Sequence, residues 1–139
     1  MKMRKTKTPR YYYHITTKDW GDSIVLKPIG NSESFSRPFD EPKIRRTCVA
    51  PTVCHCIVAI GMDDCVYNVY RTKEKVLAYF PYGVIDSCVT REKWIISKCE
   101  FIKVGEISAD KAFAHYYLSD IKKQRKLLNK LLKDNYYKM

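Results

Sequence analysis

Residues 11–17 read YYYHITT, a run of aromatic and β-branched side chains that predicts a β-strand near the start of the chain. Successive side chains of a strand point to opposite faces, so His14 and Thr16 share one face about 7 Å apart. A single ligand can therefore contact both the imidazole and the hydroxyl.

A second informative stretch lies far downstream, where residues 90–94 read TREKW. It places the carboxylate of Glu92 just before the apolar run Trp94–Ile96. A histidine and a hydroxyl on one strand, with a glutamate on another, suit the recognition and activation of a ribose. Each residue also has an ordinary structural interpretation, His14 as a core histidine and Glu92 as a surface carboxylate paired with a neighbouring cation.

The 139-residue chain is long enough for one domain with its own core. Its formal net charge is +11, and the excess lies at the two ends. Residues 1–10 contain five basic and no acidic residues, residues 110–139 contain eight basic and three acidic ones, and the central part is nearly neutral. Such ends favour an anionic partner, nucleic acid first and an acidic protein or membrane lipid second, although lysine-rich ends also serve solubility alone.

The sequence also limits the cellular context. Residues 1–10 are not followed by the apolar segment of a secretory signal, and no stretch reaches the ~20 apolar residues of a membrane span. We therefore expect a cytoplasmic protein whose six cysteines are reduced. The cluster Cys54-His55-Cys56 departs from the usual spacing of zinc ligands, so buried thiols are the favoured interpretation and no metal is expected.

The overall pattern predicts an α+β fold rather than repeated βαβ units. Thr52 is placed to cap a short helix that runs to about Ile60. Apolar residues recur every three or four positions after Ser108, which predicts one long amphipathic helix to about Lys133 with Ser108 as its N-cap. Strands are predicted at residues 11–16, 47–50, 66–71, 93–97 and 101–107, residues 76–79 are a further candidate, and residues 23–26 are a short apolar piece that ends before Pro28.

These elements define three predicted regions of the chain. Residues 1–10 are expected to be a flexible basic arm, residues 11–108 the folded domain, and residues 109–139 a C-terminal basic amphipathic helix.

In this order of elements the chain resembles the ADP-ribosyltransferase-like superfamily, in particular its small phage and bacterial NAD-binding members. The resemblance spans about residues 11–107. The matching segments, in order, are YYHITT at 12–17, IVLKP at 24–28, RRTCVAPT at 45–52, NVYR at 68–71, TREKWII at 90–96 and VGEI at 104–107.

The resemblance implies a small split β-sheet domain that binds NAD⁺ in the cleft between two sheets. It implies that His14 and Thr16 contact the ribose of NAD⁺. It also implies that Glu92 binds the nicotinamide-ribose hydroxyl and stabilises the oxocarbenium-like transition state as nicotinamide leaves. A carboxylate beside a developing positive charge stabilises the transition state more than the ground state.

The resemblance also implies further contacts with NAD⁺. Tyr70 or Tyr13 would stack on the nicotinamide, although strand alternation puts Tyr13 on the face opposite His14. Thr52 and Arg46 are candidates for the ribose and the pyrophosphate, since a guanidinium binds a pyrophosphate through paired hydrogen bonds.

Position 90 is Thr, where many protein-modifying members of the group carry Glu or Gln. This favours transfer to a host nucleic acid or small acceptor over transfer to a protein. The main alternative is a non-catalytic basic binding or inhibitor protein of phage type that engages nucleic acid or an acidic protein surface. A 2′-phosphotransferase is a third possibility, but that chemistry requires several convergent arginines.

Overall fold

The computed structural model describes residues 3–29, 44–60, 65–81 and 87–133. Within these ranges, antiparallel strands form two sheets with helices packed beside them, so the α+β class is confirmed. The strands are β1 (Tyr13–Thr16), β2 (Ser23–Leu26), β3 (Thr47–Val49), β4 (Val66–Thr72), β5 (Lys93–Ile95) and β6 (Cys99–Ser108). The helices are α1 (Val53–Ile60), α2 (Ser87–Thr90), α3 (Lys111–Leu118) and α4 (Ile121–Lys133).

The larger sheet has the strand order β1-β4-β6-β2. Its two central strands, β4 and β6, are rich in aromatic and β-branched residues, which pack well on a pleated surface. Their pairing shifts register between Val69 and Tyr70. The edge strand β1 pairs with β4 so that His14 lies opposite Tyr70.

The smaller sheet consists of β3 and β5, with Cys48 opposite Trp94. Two backbone hydrogen bonds between Tyr13 and Ala50, at 2.8 and 3.0 Å, join β1 to the end of β3. The strand that carries His14 therefore runs along the smaller sheet. This junction of the two sheets positions the candidate site.

Helix α1 begins directly after β3, as the sequence predicts. The Oγ1 of Thr52 accepts the backbone N–H of His55 at 3.1 Å, so the predicted N-cap is confirmed. Cys54 and Cys56 lie on the buried side of α1, and burial raises the pKa of the Cys54 thiol to about 11. Both behave as small core residues, in agreement with the predicted buried thiols.

Two groups of buried side chains form the core. The first lies between one face of the larger sheet and helices α1, α3 and α4. The second joins the two sheets and comprises Tyr12, Val49, Tyr70, Ala78, Ile95 and Phe101. Each fully buried large side chain contributes about 1.5–3 kcal/mol relative to exposure, so both groups hold the sheets in place.

The predicted single C-terminal helix is wrong, because the described segment forms α3 and α4 with a break at Ser119 and Asp120. Asp120 accepts the backbone N–H groups of Lys122 and Lys123 at 2.9 and 3.2 Å, and it thereby begins a new helix. The N-cap of α3 is Asp110 rather than Ser108, since its carboxylate accepts the N–H of Phe113 at 2.9 Å.

Helix α4 packs closely on the larger sheet at Gly105. A Cβ at this position would lie 2.8 Å from the Cδ2 of Leu131, so the absence of a side chain allows the helix to approach β6.

The N-terminal segment is paired with the domain instead of forming a free arm. Backbone hydrogen bonds of 2.7–3.0 Å connect Arg4, Thr6 and Arg10 to residues 76–80. Residues 76–79 accordingly make isolated bridges, at Val76 and Tyr79, in place of the predicted continuous strand. The consequence is that the backbone of residues 4–10 is fixed beside the domain, with its basic side chains exposed.

Candidate functional site

His14 is fixed at the junction of the two sheets. Its Nδ1 lies 2.8 Å from the carbonyl oxygen of Cys48. Because a carbonyl can only accept, Nδ1 carries the proton, and Nε2 of the neutral ring remains an acceptor. Burial lowers the pKa of His14 below its ordinary value, although the bond to Cys48 acts in the opposite direction. The ring is therefore neutral at neutral pH and able to accept a hydrogen bond from a hydroxyl.

An aromatic cluster orients the His14 ring. Trp20 stacks on His14 with 5.8 Å between ring centroids and 17° between ring planes. The hydroxyl of Tyr70 accepts the backbone N–H of Trp20 at 2.7 Å and donates to the carbonyl of Gly21 at 3.0 Å. Tyr70 is fully buried and supports the Trp20 turn, whereas the family resemblance implied that Tyr70 or Tyr13 stacks on nicotinamide. The half-buried Trp20 ring was missed because it lies in a polar break between strands.

Glu92 lies between the end of α2 and the start of β5. Its backbone N–H donates to the Oγ1 of Thr90 at 3.3 Å, and its Oε2 accepts the indole N–H of Trp94 at 2.8 Å. The intervening Arg91 has a φ of 55°, a left-handed conformation that is uncommon for a long side chain. The carboxylate is thus held by a tight backbone turn and by a buried indole.

His14 and Glu92 line the same small cavity, which has a volume of about 80 Å³. Thr90 also contributes to the lining, and most of the remaining walls are apolar or sulfur-bearing side chains from β1, β3 and α1. A recess of this size suits a single ring more than a whole dinucleotide. It combines a neutral imidazole, a carboxylate and mainly apolar walls, the usual mixture of a few polar groups and apolar surface in a ligand site.

The other predicted cofactor contacts lie elsewhere. Thr16 is on the same strand face as His14, and its Oγ1 accepts the N–H of Lys18 at 3.1 Å. Arg46 is only 3% exposed; its guanidinium lies 4.1 Å from the centre of the Trp94 ring and donates to the carbonyl of Ile44 at 3.1 Å. Arg46 therefore supports the residue that holds Glu92. A pyrophosphate contact would require Arg46 to leave this buried position.

Thr52 faces a second, larger cleft of about 740 Å³ on the other side of residues 90–93. Its walls come from the N-terminal segment, the start of α1 and the 90–93 segment, together with residues near the α3–α4 break. Six cationic side chains contribute to it: Arg4, Lys5, Lys7, Arg10, Arg91 and Lys93. We call this region the basic cleft.

The basic cleft perturbs its own titratable groups. Burial, then the charges of Arg91 and Lys93, lower the pKa of His55 to about 4. Burial, then the nearby Arg91 and Arg10, lower the pKa of Lys93. Burial is the larger cause of both shifts, and the neighbouring cations add a positive potential that a bound anion would relieve.

Comparisons of the chain with protein-family models, with curated proteins and with solved structures found no match. Among the described helices, none is both long and apolar enough to cross a membrane.

Proposed function

We propose that the protein is an NAD-dependent ADP-ribosyltransferase of the small phage and bacterial type, acting on a host nucleic acid or protein. The observation that carries this proposal is that His14 and Glu92, far apart in sequence, line one cavity. The neutral His14, the hydrogen-bonded carboxylate and the apolar walls fit the nicotinamide ribose of NAD⁺.

NAD⁺ would supply an activated ADP-ribosyl group, whose C1′ becomes positively charged as the bond to nicotinamide breaks and the bonding electrons leave with nicotinamide. A nucleophilic nitrogen or oxygen of the acceptor would then bond to C1′ and lose its proton to solvent. Glu92 would stabilise that charge in the transition state and hold a ribose hydroxyl. The Nε2 of His14 would accept a second ribose hydrogen bond and so fix the orientation of the sugar. The same requirement for a carboxylate near an oxocarbenium-like carbon is met in glycoside hydrolysis.

The supporting residues would keep this arrangement ready for reaction. The indole N–H of Trp94 would hold the Glu92 carboxylate in a fixed orientation, and the Arg46 guanidinium packs over the face of the same indole ring. Trp20 and the Cys48 carbonyl fix the ring of His14. Preorganised groups of this kind need little rearrangement when charge develops.

The test is transfer of label from adenylate-labelled NAD⁺ to single-stranded DNA, RNA and a host protein extract. Glu92→Gln keeps the shape of the side chain and removes its charge, so we expect label transfer to fall about 100- to 1,000-fold. Glu74→Gln, at an exposed carboxylate, is the matched control and should retain activity. Transfer that survives Glu92→Gln would reject the assigned mechanism.

A second candidate function is that of a non-catalytic basic binding or inhibitor protein. The basic cleft favours it, since six cations on one concave surface suit an anionic partner without any chemistry. Salt-sensitive binding by the folded protein, with no label transferred to any of the acceptors, would support this function over the first.

A further inference from the structure

We infer that the basic cleft binds the phosphodiester backbone of single-stranded nucleic acid and leads it to Glu92. Binding in the cleft stands on the structure of the cleft alone. Its role as the acceptor site rests on the proposed function.

The positive charge of the cleft favours a polyanionic ligand. The cations come from separate parts of the chain, four from the N-terminal segment and two, Arg91 and Lys93, from the 90–93 segment. Among the described residues that line the cleft, none is acidic. Lysine and arginine side chains gathered on one surface attract phosphates, release counterions on binding and speed association.

Cation–π contacts hold three of these cations in place. The Phe80 ring lies in the cleft wall with the Arg4 guanidinium 4.3 Å and the Lys93 ammonium 5.0 Å from its centre. Lys5 lies 5.7 Å from the centre of the neighbouring Tyr79 ring. A cation already held against a ring loses less side-chain freedom when a phosphate binds.

The concave shape of the cleft favours a single strand over a duplex. A concave cleft of about 740 Å³ lies within the usual size range of ligand pockets, which suits a few nucleotides of a strand. A rigid duplex presents a convex rod that such a recess does not accommodate.

His55 adds a neutral donor to the cleft. The Oγ1 of Thr52 accepts the backbone N–H of His55 and lies 2.7 Å from its Nδ1, so the hydroxyl can donate to that nitrogen. When the hydroxyl donates, the proton of the neutral ring is on Nε2, which can then donate to a phosphate oxygen. This donor requires no extra positive charge among the six cations.

The connection to the small cavity follows from alternation in one short segment. Thr90 and Glu92 line the small cavity, whereas Arg91 and Lys93 line the basic cleft. The segment that carries Glu92 therefore forms part of the wall of both regions. On the proposed function, the strand bound in the cleft is the acceptor of the ADP-ribosyl group.

The binding test measures fluorescence anisotropy of short labelled single-stranded DNA and RNA over a salt series, without NAD⁺. The cleft variant is Lys7→Gln/Arg10→Gln, at two exposed cations in the cleft. The control is Lys27→Gln/Lys111→Gln, at two exposed cations outside its lining with the same change in net charge. We expect at least about tenfold weaker binding for the cleft variant and a log–log salt slope reduced by about 1.4, because two phosphate contacts are lost. The control should stay within about twofold of wild type.

Equal losses in the two variants, or no binding by the wild-type protein, would overturn the inference. So would competition by poly-glutamate as strong as that by unlabelled single strand, since it would assign the cleft to an acidic protein. Tighter binding of duplex than of single strand would also overturn it. The relative affinities of DNA and RNA identify which source supplies the strand.

Label transfer separates this inference from the proposed function. If the cleft variant loses strand binding and the wild type transfers no label, the binding inference is supported and the proposed enzymatic function is rejected. If label transfer is unchanged in the cleft variant, the enzymatic function is supported and the cleft is rejected as the acceptor site.

Discussion

The small cavity and the basic cleft lie on opposite sides of one short segment, residues 90–93, and their chemistry differs sharply. The cavity is mainly apolar and holds a histidine and a carboxylate, whereas the cleft is lined by six cations. The six cations are therefore separated from the recess that contains the Glu92 carboxylate. Under the proposed function, this separation would keep the binding of a polyanion apart from the stabilisation of a positive carbon.

The two histidines express the same difference in their hydrogen bonds. The Nδ1 of His14 faces a carbonyl, which leaves Nε2 as an acceptor suited to a sugar hydroxyl. The Nδ1 of His55 lies 2.7 Å from the hydroxyl of Thr52, which can donate to it, so Nε2 can serve as a donor to a phosphate. Burial lowers the pKa of both rings and favours their neutral forms. A carbonyl therefore fixes the acceptor role of His14, whereas a hydroxyl permits the donor role of His55.

Replacing each histidine by phenylalanine should impair a different activity and is the strongest test of the difference between the cavity and the cleft. His14→Phe keeps a ring against Trp20 but removes both nitrogens, so kcat/KM for NAD⁺ should fall about 10- to 100-fold. Its affinity for single-stranded oligonucleotide should be unchanged. His55→Phe should weaken oligonucleotide binding a few-fold and leave NAD⁺ hydrolysis in the absence of acceptor intact.

Both variants are measured in the same two assays, with circular dichroism to verify the fold. If either substitution reduces NAD⁺ turnover and strand binding in parallel, the two regions are not functionally distinct.

Trp94 should show a smaller effect confined to the cavity. Trp94→Phe removes the N–H that holds the Glu92 Oε2, so we expect kcat to fall about tenfold, or 1.4 kcal/mol, with little change in KM for NAD⁺. Binding in the basic cleft should be unchanged. The pattern of lowered kcat at constant KM distinguishes a positioning residue from a lost substrate contact.

Ile95→Val is the control for Trp94, because it also loosens the buried β5 strand but leaves the indole bond in place. It should cost about 0.5–1.5 kcal/mol in the free energy of unfolding without affecting kcat. A comparable fall in kcat for both variants would mean that β5 packing, not the hydrogen bond, positions Glu92.

Features with local signals were predictable from the sequence. The aromatic run before Thr16 and the Thr52 cap depend on neighbours in the chain, and both predicted elements are present. The α+β class followed from the same signals. The predicted continuous helix failed at Asp120 because an amphipathic pattern can run on across a residue whose carboxylate starts a second helix.

The site was harder to predict because it depends on long-range packing. The residue types alone suggested that His14 and Glu92 recognise a ribose. The prediction that the two side chains lie in one cleft came only from the family resemblance. The burial of Arg46 against Trp94 has no signature in the sequence, since the same guanidinium on a surface would suit a phosphate. The basic cleft was missed because its charges were assigned to a free N-terminal arm. The pairing of that segment with residues 76–80 places them opposite Arg91 and Lys93.

Acid should destabilise the protein through the same two histidines, the smallest of the expected effects. The pKa of a histidine in the unfolded chain is about 6.5. In the folded protein the pKa of His55 is about 4, and burial also lowers the pKa of His14. Between these values the unfolded state binds more protons, so stability is complete above pH 6.5 and declines as the pH falls toward 4. The melting temperature measured from pH 8 to pH 5 should fall less steeply in His55→Phe, and less again when His14→Phe is added. Identical pH profiles for wild type and both variants would show that neither ring is held neutral by the fold, and the assignment of one acceptor and one donor would then lose its basis.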